Sequence, residues 1–309
     1  MGGERISIVF FGTGKVAARS LRLLTQDFTI EAVVTKPRPA HHHGPWHVLE
    51  AADELGLHIV ETVNKKMVTD TVAAAHFNSP VGVLIDFGII VEQKVIDSFE
   101  KGIVNSHFSL LPQWRGADPI TFSILSGQHK TGVSLMLLAA AMDEGPLLAV
   151  AEYDLSADST TPKLTHDLIG LSYALLKDTL PKYVAGKVKS APQEKVAGIV
   201  GYNPKPSYSR KLTKEDGILD FTKPATQLER EVRAYVDWPK SRTILGGNAV
   251  IITAAKAADG DGTPGEIWQA GKSLGIYCAK GVLMLEKLKP AGKAEMTAEA
   301  FLNGYGKGL

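Results

Sequence analysis

Apolar residues in the first third of the chain come in short, β-branched runs: "RISIVFFG" (5–12), "FTIEAVVT" (28–35) and "VGVLIDFG" (81–88). Runs of this length and composition predict buried strands. Between them, "KVAARSLRLLTQ" and "HVLEAADELG" space apolar residues three and four apart, as amphipathic helices do. Strand and helix in alternation predict an α/β fold built on a parallel sheet. Further strands are predicted at "GIVNSH", "GVSLMLLA" and "PLLAVAEYDL", the last two antiparallel at one side of the sheet. A long amphipathic helix, "TPKLTHDLIGLSYALLKDTLPKYVAG" (161–186), closes the unit, with Thr160 or Thr161 near its N-cap and Pro162 in its first turn.

The pattern changes after residue 189. "SAPQEKVAGIVGYNPKPSYSRKLTKEDG" (190–217) is rich in Pro, Lys, Ser and Gly, lacks a sustained period, and reads as linker. Beyond it, "TILGGNAVIITAA", "GEIWQA", "SLGIYCAK" and "GVLMLEKLKP" are short strands between glycine turns, with one helix near "PATQLEREVRAYV". They predict a small β-rich, barrel-like domain. The expected division is 1–189, a linker at 190–206, and 207–309; a chain of 309 residues is long enough for two cores.

Composition narrows the class. With 44% hydrophobic and 22% charged residues and no long apolar run, the chain reads as soluble, without a membrane span. Its start, "MGGERISIVFFGTG", reads as a first buried strand rather than a signal peptide, so a cytoplasmic protein is expected. The single cysteine, Cys278, excludes an intramolecular disulfide and a Cys-based zinc cluster, and its apolar surroundings predict a buried thiol. The net charge of +1 hides an asymmetry: residues 1–180 carry 14 basic against 20 acidic side chains (−6), residues 181–309 carry 20 against 13 (+7). A basic second half suits a polyanionic partner, although a merely soluble surface would read the same.

Three places could carry chemistry. Gly12, Gly14 and Ala17 in "FFGTGKVAA" satisfy the dinucleotide fingerprint between a strand and a helix, yet the acidic residue wanted about 20 positions on is missing from "VVTKP". Such glycines also serve tight chain reversal. His41, His42 and His43 could form a metal patch, but no acidic or Cys partner sits at ligand spacing and adjacent residues of an extended chain point to opposite sides, so a solvated loop accounts for them better; no metal is assigned. Asn105 and His107 stand two apart at a predicted strand end, so both side chains point to one side, where ligands bind in open α/β sheets. A His can take a proton and an Asn amide can donate to an oxygen gaining charge, while Asp143 in "AAAMDEGPLL" could orient the imidazole. Together they describe acyl transfer. Individually, a turn cap, a satisfied core histidine and a turn aspartate would leave the same residues. No Gly-x-Ser-x-Gly elbow is present, so the nucleophile would come from the substrate.

"NSHFSLLPQWRGADPI" and "TGVSLML…MDEGPLL" resemble the folate-dependent formyltransferase family. The similarity runs nearly the full length, through "IVFFGTGKVAARSLRLL", "YSRKLTKEDGILDF", "RAYVDWPKSRTIL" and "PGEI…GVLMLEKLKPAGKAEMTAEAFLNGY". The C-terminal part is absent from the glycinamide ribonucleotide enzymes, so the resemblance points to the members that act on an aminoacyl-tRNA. It implies a Rossmann-like catalytic domain and an OB-like C-terminal domain that helps hold tRNA. The implied donor is 10-formyltetrahydrofolate and the acceptor is the α-amino group of methionine on initiator tRNA, for translation initiation. A nucleotide-linked amino sugar is the alternative acceptor, and a non-catalytic RNA-binding protein or a nicotinamide-dependent oxidoreductase the more distant readings. Asn105, His107 and Asp143 match the catalytic trio, and no metal is required. Ser109, Leu110, Leu111 and Pro112 match the tetrahydrofolate-binding segment. Phe87, Gly88, Ile89 and Ile90 and the turn of Ala141, Met142 and Glu144 should line the pterin pocket. Arg115 and Gly116 match the acceptor side. For tRNA, Lys36 and Arg38 are the only fixed charges in "TKPRPAHHHGPWH" (35–47), where the family carries a longer basic loop; Arg210, Lys211 and Lys214 are the candidates beyond the linker. The chain is expected to work as a monomer.

Overall fold

The computed structural model describes residues 5–41, 44–200 and 205–309, so His42 and His43 lie outside the described residues. The described residues divide into two compact units. One holds the chain up to Pro119 with Lys130–Asp154 and Thr165–Tyr208; the other holds Ile120–His129, Leu155–Leu164 and Ser209–Leu309.

The elements of the N-terminal half are, in chain order, β1 (Ser7–Phe11), α1 (Lys15–Leu24), β2 (Thr29–Thr35), α2 (His47–Glu54), β3 (Ile59–Glu61), α3 (Lys65–Ala75), β4 (Val81–Leu84), α4 (Gln93–Ile96), β5 (Ile103–His107), β6 (Arg115–Gly116), α5 (Pro119–Ser126), β7 (Lys130–Leu137), β8 (Leu147–Asp154) and α6 (Thr161–Val184). Seven of the strands form one sheet in the order β3-β2-β1-β4-β5-β7-β8. Its first five strands run parallel, while β7 and β8 are antiparallel, as the apolar runs predicted. Central strand β1 reads Ile8, Val9, Phe10, Phe11 without a break, all fully buried, because a strand covered on both faces has no polar side to present. The strand order reverses between β1 and β4, and their carboxyl ends open the crevice where such sheets bind ligands.

Strand β5 carries its polar residues inward. Ser106 faces one layer, where its hydroxyl meets that of Ser172 on α6 at 2.7 Å, and Asn105 and His107 face the other. All five residues of the strand are buried.

After α6 come α7 (Gln193–Val200), β9 (Tyr208–Ser209), α8 (Ala225–Ala234), β10 (Arg242–Leu245), β11 (Asn248–Ala258), β12 (Ile267–Ala270), β13 (Ser273–Tyr277), β14 (Val282–Pro290), β15 (Met296–Thr297) and α9 (Ala298–Tyr305). Strands β10 to β15 form an antiparallel sheet in the order β10-β11-β14-β13-β12, with β15 beside β14. This sheet curls around a core of Leu228 and Val232 from α8, Leu274, Leu283 and Leu288 from the strands, and Phe301 from α9. It is the barrel-like unit predicted from the short strands. Gly246 and Gly247 both adopt positive φ, +51° and +78°, so "TILGGNAV" is a hairpin of β10 and β11. Cys278 is buried in this core. Among the described residues, no helix is long and apolar enough to cross a membrane.

Candidate active site

Asn105 and His107 leave the end of β5 on the same face, each only 7% exposed, and meet Asp143 from the turn between β7 and β8, 9% exposed. Asn105 Nδ2 donates to Asp143 Oδ1 at 3.4 Å, and His107 Nδ1 lies 3.8 Å from the same oxygen. The other carboxylate oxygen, Oδ2, accepts from the Gly116 backbone N–H at 2.7 Å. On the far side of the imidazole, Nε2 meets the Trp114 carbonyl at 2.9 Å. A carbonyl can only accept, so the proton of a neutral imidazole sits on Nε2 and the Nδ1 lone pair faces Asp143. The three residues predicted from the sequence are thus brought together around one carboxylate.

Asp143 sits at φ +54°, a conformation that costs a residue with a Cβ about 1–2 kcal/mol and needs support from its surroundings. That support comes from Gln193, the first residue of α7, which sequence reasoning assigned to the linker. Its side chain is 2% exposed; Nε2 donates to the carbonyls of Asp143 (2.7 Å) and Gly145 (3.0 Å), and Oε1 accepts from Arg115 Nη2 at 2.7 Å. Arg115, 7% exposed, also reaches Glu144 Oε1 through Nη1 at 2.9 Å. Ser207 clamps the neighbouring loop, donating to the Pro112 carbonyl at 3.2 Å and accepting from Arg115 N at 2.9 Å. No signal in the sequence pointed to it, because nothing in a Pro-rich, charged stretch marks one Gln as buried.

The predicted folate segments lie at this end of the sheet, but their side chains divide. Ser109, Leu110 and Leu111 are fully or almost fully buried, with Leu111 packed on Met136 and Leu147, so only their backbone can meet a ligand. Phe87 and Ile89 likewise turn their side chains toward the core, together with Leu138 of the β7–β8 turn. Ile90 and Met142 instead stand 65% and 68% exposed, two large apolar side chains at the two turns expected to border the pterin.

The glycine turn after β1 holds a carboxylate of its own chain. Asp86, at φ +49° after β4, accepts from the Ala17 backbone N–H at the start of α1, and a Cβ on Gly14 would lie 1.8 Å from its Oδ2. A helix N-terminus favours an anion, and here that place is filled from within, which agrees with the missing ribose acid. Enclosure by the crevice walls, and secondly the charge of Asp118, push the Asp86 carboxyl up to about 6. Asp86 is nevertheless exposed to solvent, so water screens much of this effect.

The predicted tRNA-contacting residues are for the most part engaged with their own neighbours. Lys36 Nζ donates to the Gly88 carbonyl at 3.2 Å, and Arg38 pairs with Glu50. Arg210 grips Asp216 with both terminal nitrogens, at 2.8 and 2.6 Å, while Lys211 and Lys214 are exposed. No group of three or more His, Cys, Asp or Glu side chains among the described residues is placed to hold a metal. In the second unit, an apolar cleft of about 480 Å³ between β10, β11 and the end of β14 contains none of the predicted catalytic or folate residues.

An imidazole, an amide and a carboxylate converging at the carboxyl end of β5, one strand beyond the switch point, with no nucleophilic side chain among them, define a transferase whose substrates bring both reacting groups. Residues 5–180 match the family model described as formyl transferase, and residues 211–306 match that of the formyl transferase C-terminal domain. The chain belongs to the formyl transferase family. Among its relatives, the methionyl-tRNA formyltransferase of Myxococcus xanthus is 33% identical, over 98% of this chain and 96% of its own length. That of Methylococcus capsulatus is 34% identical, over 96% of each. In fold, the chain resembles WlaRD, a sugar 3N-formyl transferase solved with dTDP and 5-N-formyl-THF: TM-score 0.68, 17% identity, 94% of this chain and 100% of that one. It also resembles HypX from Aquifex aeolicus, solved with tetrahydrofolic acid, at a TM-score of 0.64 and 14% identity, covering 99% of this chain and 48% of that one.

Proposed function

We propose that this chain formylates methionyl initiator tRNA, moving the formyl group of 10-formyltetrahydrofolate to the α-amino group of the esterified methionine for translation initiation. The observation that carries the reading is the convergence of Asn105, His107 and Asp143 at the end of β5, in a chain that aligns end to end with methionyl-tRNA formyltransferases.

The folate supplies a formyl carbon bonded to N10. In the transfer a C–N bond forms to the methionine amine, the C–N10 bond breaks, and one proton passes from the amine to N10. A primary amide has two N–H bonds; with one of Asn105 directed at Asp143 Oδ1 at 3.4 Å, the second is available to the formyl oxygen as it gains charge. His107 takes the amine proton on Nδ1, the nitrogen that faces Asp143, while the Trp114 carbonyl holds Nε2–H. Asp143 stabilises the imidazolium so formed, and His107 returns the proton to the leaving nitrogen. The donor fits the turns bordered by Ile90 and Met142, which give an apolar rim to backbone amides and carbonyls of residues 87–90 and 141–144. Arg115 and Gly116 face the acceptor. The surplus of positive charge in residues 181–309 (+7) suits tRNA phosphates. The protein works in the cytoplasm as a monomer, which sedimentation of the purified chain will check.

The test is formyl transfer from 10-formyltetrahydrofolate to charged initiator tRNA, charged elongator tRNA and a nucleotide-linked amino sugar in parallel. Strong preference for the initiator is expected. Equal use of both tRNAs would put the lost discrimination in the short loop at 35–47, and transfer to the sugar amine alone would overturn the reading.

A further inference from the structure

We infer that Gln193 is the positioning residue of Asp143, joining the catalytic carboxylate to the acceptor-side arginine; the inference rests on the formyl-transfer reading above. The tip of the β7–β8 turn has little to hold it otherwise. Its residues Ala141, Met142 and Glu144 are exposed; good backbone hydrogen bonds close the base of the turn, from Leu137 N to the Pro146 carbonyl (2.9 Å) and from Leu138 N to the Ile103 carbonyl (2.8 Å), while at the tip the bond from Glu144 N to the Ala141 carbonyl is long at 3.4 Å. Asp143 must nevertheless keep a left-handed conformation for its carboxylate to meet Asn105, His107 and the Gly116 N–H together.

The Gln193 carboxamide matches that need atom by atom. Both of its N–H bonds go to carbonyls of the turn, those of Asp143 and Gly145, and its oxygen receives Arg115 Nη2. The segment that delivers it is anchored on the same strand: Ala191 and Leu147 exchange two backbone hydrogen bonds of 2.8 Å each. Gly145 lets the turn pass close to β7 on the other side, since a Cβ there would lie 1.8 Å from the Leu137 carbonyl. Arg115 completes the ring by holding Glu144 with its other nitrogen at 2.9 Å. A ligand pressing on Arg115 is therefore linked through one buried amide to the backbone of the residue that orients His107.

Glutamine is required by the count of donors. A glutamate at 193 keeps the acceptor for Arg115 but turns a carboxylate oxygen toward two carbonyls, and a methionine keeps the length and loses every polar contact. Gln193→Glu and Gln193→Met are expected to lower kcat roughly 10–100-fold, the usual effect of removing a group that orients a catalytic one, with KM for 10-formyltetrahydrofolate within about twofold of wild type.

The decisive measurement is a double-mutant cycle with Asp143→Ala, read as single-turnover formyl transfer to charged initiator tRNA. If Gln193 acts through Asp143, either substitution at 193 costs less than about twofold once Asp143 is gone. Losses that multiply in the double variants, or a Gln193→Glu enzyme with wild-type kcat, would overturn the inference. Should Gln193→Met not fold, the Gln193→Glu arm carries the cycle alone. Absence of transfer by the wild-type chain is a separate result, which would remove the formyl-transfer reading and this inference with it.

Discussion

The two nitrogens of His107 are unequal before any substrate arrives. Trp114 binds one through a carbonyl and so fixes its proton, leaving the other turned to a carboxylate 3.8 Å away, too far for a direct hydrogen bond and close enough to stabilise a positive charge. An imidazole held in this way is arranged to gain a proton and give it back. Asp86 illustrates the opposite case of a carboxylate held where its charge is costly. Its pKa is raised to about 6, first by enclosure and then by Asp118, so the ionised form is disfavoured in the folded protein. The associated stability is fully present below the ordinary carboxylate value near 3.8 and is lost as pH rises through about 6. Asp86→Asn, neutral at every pH, can still accept from the Ala17 N–H. It should therefore melt above wild type at pH 7.5, by about 1–3 °C, and level with it at pH 4. Thermal denaturation at the two pH values checks this; an equal difference at both would show that the charge is not the cause.

Elements with a clear period were legible in the sequence, and those held by polar contacts were not. Strands β1 and β4 announce themselves because a strand buried on both faces is apolar throughout, β2 and β5 by the apolar, β-branched part of their runs, and α1 because one of its faces is apolar. Strand β3 has three residues and α3 reads "KKMVTDTVAAA", with few apolar positions to betray its face; its clearest mark is Asn64, whose side chain accepts from Met67 N at 2.9 Å as an N-cap. Helix α7 was hidden more thoroughly. Its stretch reads as linker because a Pro-rich, charged sequence shows no core-facing stripe, and its place depends on Gln193 finding carbonyls some fifty residues earlier in the chain. The same contrast divides the site. Asn105 and His107 were legible from a spacing of two on a strand, and Asp143 only as a candidate in a turn, because its approach to them depends on the β7–β8 pairing and on the turn's left-handed backbone. That Leu110 and Leu111 offer a ligand only backbone could not be read from the motif, since a motif does not say which atoms face inward.

For the whole molecule, the uneven charge is the feature that bears on the partner. The loop at 35–47 is poor in positive charge, and what it has is engaged: Arg38 with Glu50, Lys36 with the Gly88 carbonyl. Beyond the linker, Arg210 is committed to Asp216, whose carboxyl it holds well below the usual range, whereas Lys211 and Lys214 stand exposed. Replacing Lys211 and Lys214 together by Ala should weaken tRNA binding and reduce the slope of log K against log salt by roughly 1–2, one phosphate contact for each lysine. An unchanged slope in a filter-binding titration would move the contacts elsewhere. The central claim concerns the chemistry at β5, and the most direct measurement is single-turnover formyl transfer from 10-formyltetrahydrofolate to methionyl initiator tRNA, comparing wild type with Asn105→Ala and His107→Ala. The account predicts efficient transfer by wild type and a rate lower by roughly 10² or more in each variant, with folate affinity retained. Wild-type rates in either variant would contradict it.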